Sequence, residues 1–407
     1  MTDGGDPGNG PGGGPGGGPG NVTETFLGFR RADGRVGVRN HLLVLSTGGL
    51  TGQTARRVAA AIAGAVVVVL PHSSGLLGRD LVVQRRAIAG LATHPNVGAC
   101  VLVGDNPVVM RQALADIGPG GRPHAAFTLD DCNHDGLLLT DRALRAGAGL
   151  ARLISRDRRT AEPLSALGIG LECGRSDPSS GLVANPLLGL AADWLVDAGG
   201  WAALGETLEW LGAESLLAAR ARTPAAAAAI TGAVLARERI AVAAGLDLLG
   251  SNPGPTNIAA GLSTIEEKSL GNVAKSGSRP VEGLLDYGEA PPHGGMWTMD
   301  ASAYAPKSLT GFVVSGAQML LFTTGVGNPY VSALAPTIKL SANPDTCAAL
   351  ADQLDFDASG AFTGRESMAD AGRALCRRVL DVASGELTWG EVMREGDEVL
   401  SRFGQAL

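Results

Sequence analysis

The stretch from residue 41 to 154 alternates short apolar runs with longer amphipathic segments, and this alternation constrains the fold more than any other feature of the sequence. Repeated strand–helix units fold into a parallel sheet with right-handed crossovers and helices on both faces. We therefore expect an α/β fold with a doubly wound, largely parallel sheet. The predicted elements are strand 41–46, helix 52–63, strand 65–70, helix 79–92, strand 97–103, helix 107–117, strand 124–129 and helix 137–154.

A second α/β unit is predicted to follow. Its expected elements are strand 166–171, helices 184–198, 207–221 and 223–245, strand 201–205, short strands near 311–323 and 336–341, and helices near 364–383 and 390–402. Ahead of both units, 15 of the 17 residues at positions 4–20 are Gly or Pro. Such a segment buries too little apolar surface to fold, so we predict a disordered tail over 1–22, a first α/β domain over 23–160 and a C-terminal α/β domain over 161–407.

The overall composition excludes several classes of protein. Hydrophobic residues make up 45% of the chain but aromatics only 4%, which predicts an aliphatic core. The net charge of −7 argues against a general nucleic-acid binder. No apolar run reaches the roughly 18 residues of a membrane-spanning helix. Five cysteines without CxxC spacing suit a reducing compartment, so we expect a cytoplasmic protein without membrane or nucleic-acid partners.

One connection is unusually rich in chemically useful side chains. Residues 170–186 read GLECGRSDPSSGLVANP, with a thiol, two carboxylates, several hydroxyls and an amide between a predicted strand and a predicted helix. Open α/β sheets bind ligands at such connections, beyond the carboxyl ends of their strands. The alternative is a capped turn in which Asp177 and Ser179 satisfy free backbone amides.

This segment resembles the QCGGSD…SGITANPALG block of the altronate/galactarate dehydratase family, whose members include the large subunit of sulfolactate sulfo-lyase. Further blocks resemble that family in the same order along the chain. They are GFRRADGRVGVRN at 28–40, GETLEWLGAE at 205–214, NPGPTNIAAGLSTIEEKSLGNVAK at 252–275, FTTG at 322–325 and DFDASG at 355–360.

The resemblance implies loss of water from a hydroxylated carboxylate. Because a proton α to a carboxylate is very weakly acidic, the reaction needs a base and a cationic group that stabilises the developing charge. A divalent metal is therefore expected, Fe²⁺ or Mn²⁺ with Mg²⁺ as the alternative. The predicted ligands are Cys173 and His72, with Glu172 and Asp177 as further candidates; otherwise, the ring of His72 hydrogen-bonds a neighbouring loop carbonyl.

The chain departs from the family pattern at two positions. It carries Leu76 and Asp105 where the resemblance leads us to expect cysteines. Loss of thiolates shifts metal preference away from soft ligands towards oxygen and imidazole. The departure also leaves open the alternative that this chain is a non-catalytic member of the family that has lost its metal.

Four residues are candidates for proton transfer: Glu206, Glu209, Lys268 and Lys275. The two glutamates are three residues apart after a predicted strand, so both carboxylates can face one cleft. Their alternative role is to compensate the dipole at a helix start. Either lysine could act as a base or a carboxylate anchor, and the alternative is an ordinary surface lysine.

Polar residues in the family blocks are candidates for holding the substrate, and each could equally be scaffold. The predicted substrate-binding residues are Arg39, Asn40, Ser176, Asp177, Asn185, Asn257 and Thr324.

The expected activity is that of a metal-dependent hydro-lyase acting on a small hydroxylated carboxylate such as a sugar acid. The alternatives are a sulfo-lyase or another β-elimination on a non-sugar acid, and the non-catalytic relative. Long members of the family carry a small SAF-type domain where this chain has its Gly/Pro tail. A separate small SAF-type subunit is therefore a candidate partner, and we expect a homo-oligomer.

Overall fold

The computed structural model describes residues 24–248 and 252–404; the predicted tail over 1–22 lies outside these residues. The strands are β1 (Thr25–Arg30), β2 (Val36–Gly37), β3 (His41–Ser46), β4 (Ala65–Val69), β5 (Val97–Gly104), β6 (His124–Thr128), β7 (Thr160–Pro163), β8 (Gly168–Cys173), β9 (Trp201–Leu204), β10 (Val281–Leu285), β11 (Gly295–Met299), β12 (Met319–Thr323), β13 (Thr337–Ser341) and β14 (Phe356–Asp357). The α-helices are α1 (Gly52–Ala61), α2 (Gly78–Ala92), α3 (Pro107–Ile117), α4 (Gly136–Ile154), α5 (Asn185–Asp197), α6 (Glu214–Ala219), α7 (Pro224–Ala243), α8 (Pro255–Ala259), α9 (Ile265–Ala274), α10 (Ala305–Val314), α11 (Pro344–Ala349), α12 (Ser359–Phe362), α13 (Met368–Ala383) and α14 (Trp389–Met393).

The first α/β unit is a four-stranded parallel sheet in the order β4-β3-β5-β6. Successive residues of a strand point to opposite faces. Accordingly Leu42 and Val44 pack with α1 and α4, whereas Leu43 and Leu45 pack with α2 and α3. Helices thus cover both faces, which confirms the predicted doubly wound α/β fold.

The second α/β unit is a seven-stranded sheet in the order β10-β11-β9-β8-β12-β13-β14, and all its pairings are parallel. Strand β8 lies between β9, which follows it in the chain and pairs with one of its edges, and the later β12, which pairs with its other edge. This reversal of strand order beside β8 is where open α/β sheets form a ligand-binding crevice. Helix α10 packs closely on β8 at Gly170, where a Cβ would lie only 2.6 Å from the Phe312 ring. The absence of a side chain at Gly170 makes this close packing possible.

A small antiparallel sheet, β2-β1-β7, joins the two units. The chain turns at Asp33-Gly34 between β1 and β2, and Gly34 there has a positive φ of +84°, which glycine adopts freely. Phe26 from this sheet packs into the core of the seven-stranded sheet. Strand β7 spans the predicted domain boundary at 160/161, and that boundary stays a prediction.

Three predicted elements differ from the structure, and two strands were missed. The predicted helix 207–221 is broken at Gly212, whose φ is +86°, into a 3₁₀ turn (Thr207–Trp210) and α6. Residues 311–314 belong to helix α10, not to a strand. The last predicted helix ends at Met393, because Arg394 adopts a left-handed conformation. Strands β10 and β11 were not predicted. Across the described ranges, no helix is both long and apolar enough to cross a membrane.

Candidate active site

Three potential metal ligands meet at the carboxyl ends of β8 and β9. Cys173 is the last residue of β8, Glu206 is the N-cap of the 3₁₀ turn after β9, and Glu209 lies within that turn. Since β8 and β9 are parallel neighbours, their carboxyl ends lie side by side. Glu206 adopts a left-handed φ of +64°, an uncommon conformation for a residue other than glycine. The strained turn aims both carboxylates at the thiol.

Helix α9 and its C-cap, Lys275, cover this cluster with three polar side chains. Lys268, Asn272 and Lys275 follow one another at intervals of four and three residues, which places them on one helix face. The Nζ atom of Lys268 lies 2.6 Å from Oε1 of Glu209, and Nζ of Lys275 lies 2.6 Å from Oε2 of Glu206. Both buried carboxylates therefore have a cationic partner.

The spacing of the donor atoms fits a divalent cation. Sγ of Cys173 lies 3.6 Å from Oε2 of Glu206 and 3.9 Å from Oε2 of Glu209, and the three ligand atoms lie within 4.8 Å of one another. A tetrahedral site with metal–sulfur and metal–oxygen bonds of about 2.3 and 2.1 Å would separate sulfur from oxygen by about 3.6 Å. These residues could therefore hold a metal ion.

Asn272 lies where a fourth donor would be needed. Its Nδ2 is 3.0 Å from Oε2 of both Glu206 and Glu209 and 3.6 Å from Sγ of Cys173. Its Oδ1 is buried and has no hydrogen-bond partner among the residues described. A half-turn of the amide exchanges the two atoms. Asn272 can thus donate to the carboxylates without a cation and supply an oxygen ligand with one.

The charges of the cluster are set by burial and by neighbouring groups. Burial raises the pKa of the Cys173 thiol to about 12, and the charge of Glu206 adds to this effect. Burial also opposes the charge of Glu206, but Lys275, with help from Glu172 and Lys268, outweighs this effect, so the pKa of Glu206 lies below its ordinary value. Burial and the charge of Glu206 raise the pKa of Glu209. A metal ion would have to displace the proton of the thiol.

A third carboxyl group lies behind the cluster. Glu172 precedes Cys173 and is fully buried, and neither of its carboxyl oxygens accepts a hydrogen bond from the described part of the chain. Burial first, and then the charge of Glu206, raise the pKa of Glu172 well above its ordinary value. Burial beside the carboxylate of Glu206 therefore favours the neutral form of Glu172.

The cluster opens into a cleft of about 540 Å³. Five of the predicted site residues line it: Cys173, Glu206, Glu209, Lys268 and Asn257. The remaining lining residues are Gly174, Arg175, Leu208, Asn252, Gly254, Pro255, Thr256, Ala303, Tyr304, Ala305, Pro306, Asn328 and Pro329. The size suits a small polar molecule, and the cluster forms part of the cleft wall.

Three residues predicted from the N-terminal part of the chain lie away from this cleft. The guanidinium of Arg39 is bound by Glu391 and by backbone carbonyls of 38, 382 and 386. The amide of Asn40 accepts from Arg31 and donates to a backbone carbonyl. His72 lines a separate small cavity together with Leu76. The structure does not bring His72 to the Cys173 cluster.

The other predicted substrate-binding residues support the loops around the site. Asp177 accepts hydrogen bonds from the backbone and side chain of Ser180, and Thr324 accepts one from a backbone amide. Asn185 bridges a backbone carbonyl of α9 and a threonine of β12. The hydroxyl of Ser176 is buried without a partner among the described residues. Their side chains do not line the cleft.

Two residues close to the chemistry were not singled out from the sequence as proton-transfer or metal candidates. Asn272 lies between Lys268 and Lys275 on one helix face, and the four-residue interval to Lys268 was the available signal. Asn252 accepts a hydrogen bond from Nζ of Lys268 at 2.6 Å and lines the cleft. No sequence periodicity pointed to Asn252 as a lysine partner.

Comparison with known proteins assigns the two parts of this chain to two domains of one family. Residues 164–406 match the family model described as D-galactarate/altronate dehydratase, C-terminal, and residues 28–146 match D-galactarate dehydratase/altronate hydrolase, second domain. The chain is 35% identical to (2R)-sulfolactate sulfo-lyase subunit beta of Chromohalobacter salexigens, covering 93% of this chain and 97% of that protein. It is 32% identical to altronate dehydratase and 30% identical to galactarate dehydratase (L-threo-forming), both of Escherichia coli, covering 89% of this chain in each case and 74% and 73% of those proteins. The chain therefore belongs to the D-galactarate/altronate dehydratase family.

Proposed function

We propose that this protein is a metal-dependent hydro-lyase that removes water from a small hydroxylated carboxylate such as a sugar acid. The observation that carries the proposal is the convergence of one thiol and two carboxylates, spaced as metal ligands, next to a lysine that faces the same cleft. Membership of a family whose named relatives are dehydratases and a sulfo-lyase supports the reaction class.

Cys173, Glu206 and Glu209 would hold the metal, and Asn272 could add an oxygen. The mixed sulfur and oxygen set favours Fe²⁺ or Mn²⁺ over Mg²⁺. Such an ion would stabilise the charge that develops on the substrate carboxylate and would polarise the departing hydroxyl. Lys275 lies behind the cluster and keeps Glu206 ionised, which is a positioning role.

Lys268 and Glu209 form the pair best placed to move protons. Burial opposes the charge of Lys268, but Glu209 outweighs it and the pKa of Lys268 lies above its ordinary value. Lys268 is therefore protonated at neutral pH and serves as the acid that gives a proton to the departing hydroxide. Glu209, whose pKa is raised, has Oε2 at the metal cluster and would use its other oxygen, Oε1, to take the α-proton. Oε1 then returns this proton, across its 2.6 Å contact, to the Lys268 that has protonated the hydroxide.

Loss of sulfite from a sulfonated acid is the second candidate. It is favoured because the sulfo-lyase beta subunit is matched over 97% of its length, whereas the dehydratases extend well beyond the match. The same residues would remove the α-proton, and sulfite would leave in place of hydroxide. That relative is named as a subunit, which supports a separate small SAF-type partner for this chain.

The test uses anaerobically purified protein that has been stripped by a chelator and reloaded with single metals. Aldonates, aldarates and sulfolactate are offered with and without a small SAF-type subunit, and 2-keto acid and sulfite are measured. Lys268→Met should abolish either product, while Arg158→Met, on an exposed loop, should not. Absence of both products with every metal and acid would refute the proposal.

A further inference from the structure

We propose that Arg175 binds a second anionic group of the substrate, so that the enzyme selects small acids with two negative charges. This inference rests on the proposed lyase function. It assigns to the cleft a specificity residue that lies outside the metal and proton-transfer cluster.

Arg175 is a cation of the cleft whose guanidinium has no partner among the described residues. It follows Cys173 by two residues, is exposed and lines the same cleft as Glu206 and Lys268. Its guanidinium makes no hydrogen bond or ion pair with any residue in the ranges 24–248 and 252–404. Lys268, by contrast, is bound to Glu209 and Asn252. The charge of Arg175 is therefore available to a ligand.

The backbone holds Arg175 in an unusual conformation. Its φ is +58°, in the left-handed region that glycine adopts freely and other residues rarely enter. The carbonyl of Arg175 accepts a hydrogen bond from the amide of Gly325 at 3.2 Å. The preceding Gly174 has no room for a side chain, since a Cβ there would lie 2.7 Å from Nδ2 of Asn328. An arginine kept at a strained position, with no partner for its charge in the part of the chain that the structure describes, indicates a binding role.

The chemistry of the guanidinium identifies the class of ligand. Its planar fork pairs with two oxygens of a carboxylate or a sulfonate, in a charge-assisted contact. The N-terminal end of helix α10, at Tyr304 and Ala305, lines the same cleft and adds partial positive charge. One acid group of the substrate lies at the Cys173 cluster, and the other binds Arg175.

The test compares the wild type with Arg175→Gly, which suits the positive φ, and with Arg175→Lys, which keeps the charge but not the fork. The quantity measured is the ratio of kcat/KM for a dianionic acid to kcat/KM for a monoanionic acid of equal carbon number. Arg175→Gly should lower this ratio about 10- to 100-fold, the usual worth of a hydrogen-bonded charge pair. Arg175→Lys should lower it less. Arg158→Gly, on an exposed loop, is the control and should leave the ratio unchanged.

A binding measurement separates this inference from the proposed function. Tartrate should raise the melting temperature of the wild type more than glycerate does, and Arg175→Gly should abolish the difference, whether or not turnover is found. An aldarate and sulfolactate serve as separate arms for carboxylate and sulfonate, and a reduced ratio in either arm supports the assignment. An unchanged ratio in both arms, together with an unchanged tartrate shift, would overturn it and leave the lyase proposal standing. No turnover by the wild type would refute the lyase proposal alone.

Discussion

Nζ of Lys275 lies 2.6 Å from Oε2 of Glu206, and neither side chain is more than 1% exposed. Burial on its own would make both groups neutral. The neighbouring charges reverse this effect, so the pKa of Lys275 is above its ordinary value and that of Glu206 is below it. The pair is ionised at neutral pH, and a permanent carboxylate is held next to Cys173.

Replacing Lys275 by methionine should destabilise the protein strongly. The substitution leaves the charge of Glu206 buried without its cationic partner, a change that costs about 3–5 kcal/mol. The free energy of unfolding, measured by urea titration, should fall by this amount. The double variant Lys275→Met/Glu206→Gln should recover most of the loss, because no unpaired charge remains.

An exposed ion pair provides the matched control for that experiment. Arg279 pairs with Asp197, and their side chains are 39% and 54% exposed. Arg279→Met should cost less than about 1 kcal/mol, as exposed pairs usually do. If Lys275→Met cost no more than Arg279→Met, the buried pair would not hold the cluster together.

Replacing Cys173 by alanine should remove metal binding. The thiol is one of three clustered ligand atoms, and its loss leaves two carboxylates that are already bound by lysines. Elemental analysis should find about one divalent ion per wild-type chain and almost none in Cys173→Ala. Cys132→Ala, at another buried cysteine, should keep its metal. Equal metal content in all three proteins would place the ion elsewhere.

Arg39 should matter for stability rather than for turnover. Two nitrogens of its guanidinium donate to the Glu391 carboxylate, and the guanidinium also donates to three backbone carbonyls. These contacts join the N-terminal part of the chain to the C-terminal helices. A lysine cannot make this set of contacts, so Arg39→Lys should lower the free energy of unfolding by roughly 2–4 kcal/mol. KM at a temperature where the variant is folded should stay unchanged. A KM raised tenfold would instead support the substrate role expected from the sequence.

Local patterns predicted the first α/β unit well. The strand at 41–46 and the helix at 107–117 were predicted with the bounds that the structure shows, since each has a clear hydrophobic period and a turn on either side. Residues 281–285 (VEGLL) carry a glutamate and a glycine, so their apolar pattern is weak, and β10 was missed. The apolar run at 311–314 reads as a strand, but packing against Gly170 decides for helix α10.

The site was only partly predictable, for a related reason. Cys173, Glu206 and Glu209 stand at strand ends, where parallel topology brings side chains together whatever the details of packing. Arg39 and Asn185 are equally polar in the sequence, but their side chains are hydrogen-bonded to other residues of the protein and do not line the cleft. Which partner a polar side chain finds depends on elements far away in sequence. No local pattern can supply that information.

A buried carboxyl group that does not line the cleft should give the protein a pH-dependent stability. Glu398 is buried and accepts hydrogen bonds from Ser332, Thr310 and the amide of Ala333. Burial raises its pKa from 4.5 to about 7, although these hydrogen bonds oppose the shift. The folded protein thus holds this proton more tightly than the unfolded chain. The stability that Glu398 contributes is complete below pH 4.5 and is lost as the pH rises through 7.

Glu398→Gln should remove this pH dependence, because the amide does not ionise. Relative to the wild type, the variant should gain about 3 kcal/mol in free energy of unfolding between pH 4.5 and pH 8, since each pKa unit corresponds to about 1.4 kcal/mol. Urea titrations at pH 4.5, 6, 7 and 8 measure the gain. Glu366→Gln, at an exposed position, should run parallel to the wild type at every pH. A Glu398→Gln curve parallel to the wild type would mean that Glu398 is already ionised at pH 5, with its charge held by the hydrogen bonds from Ser332 and Thr310.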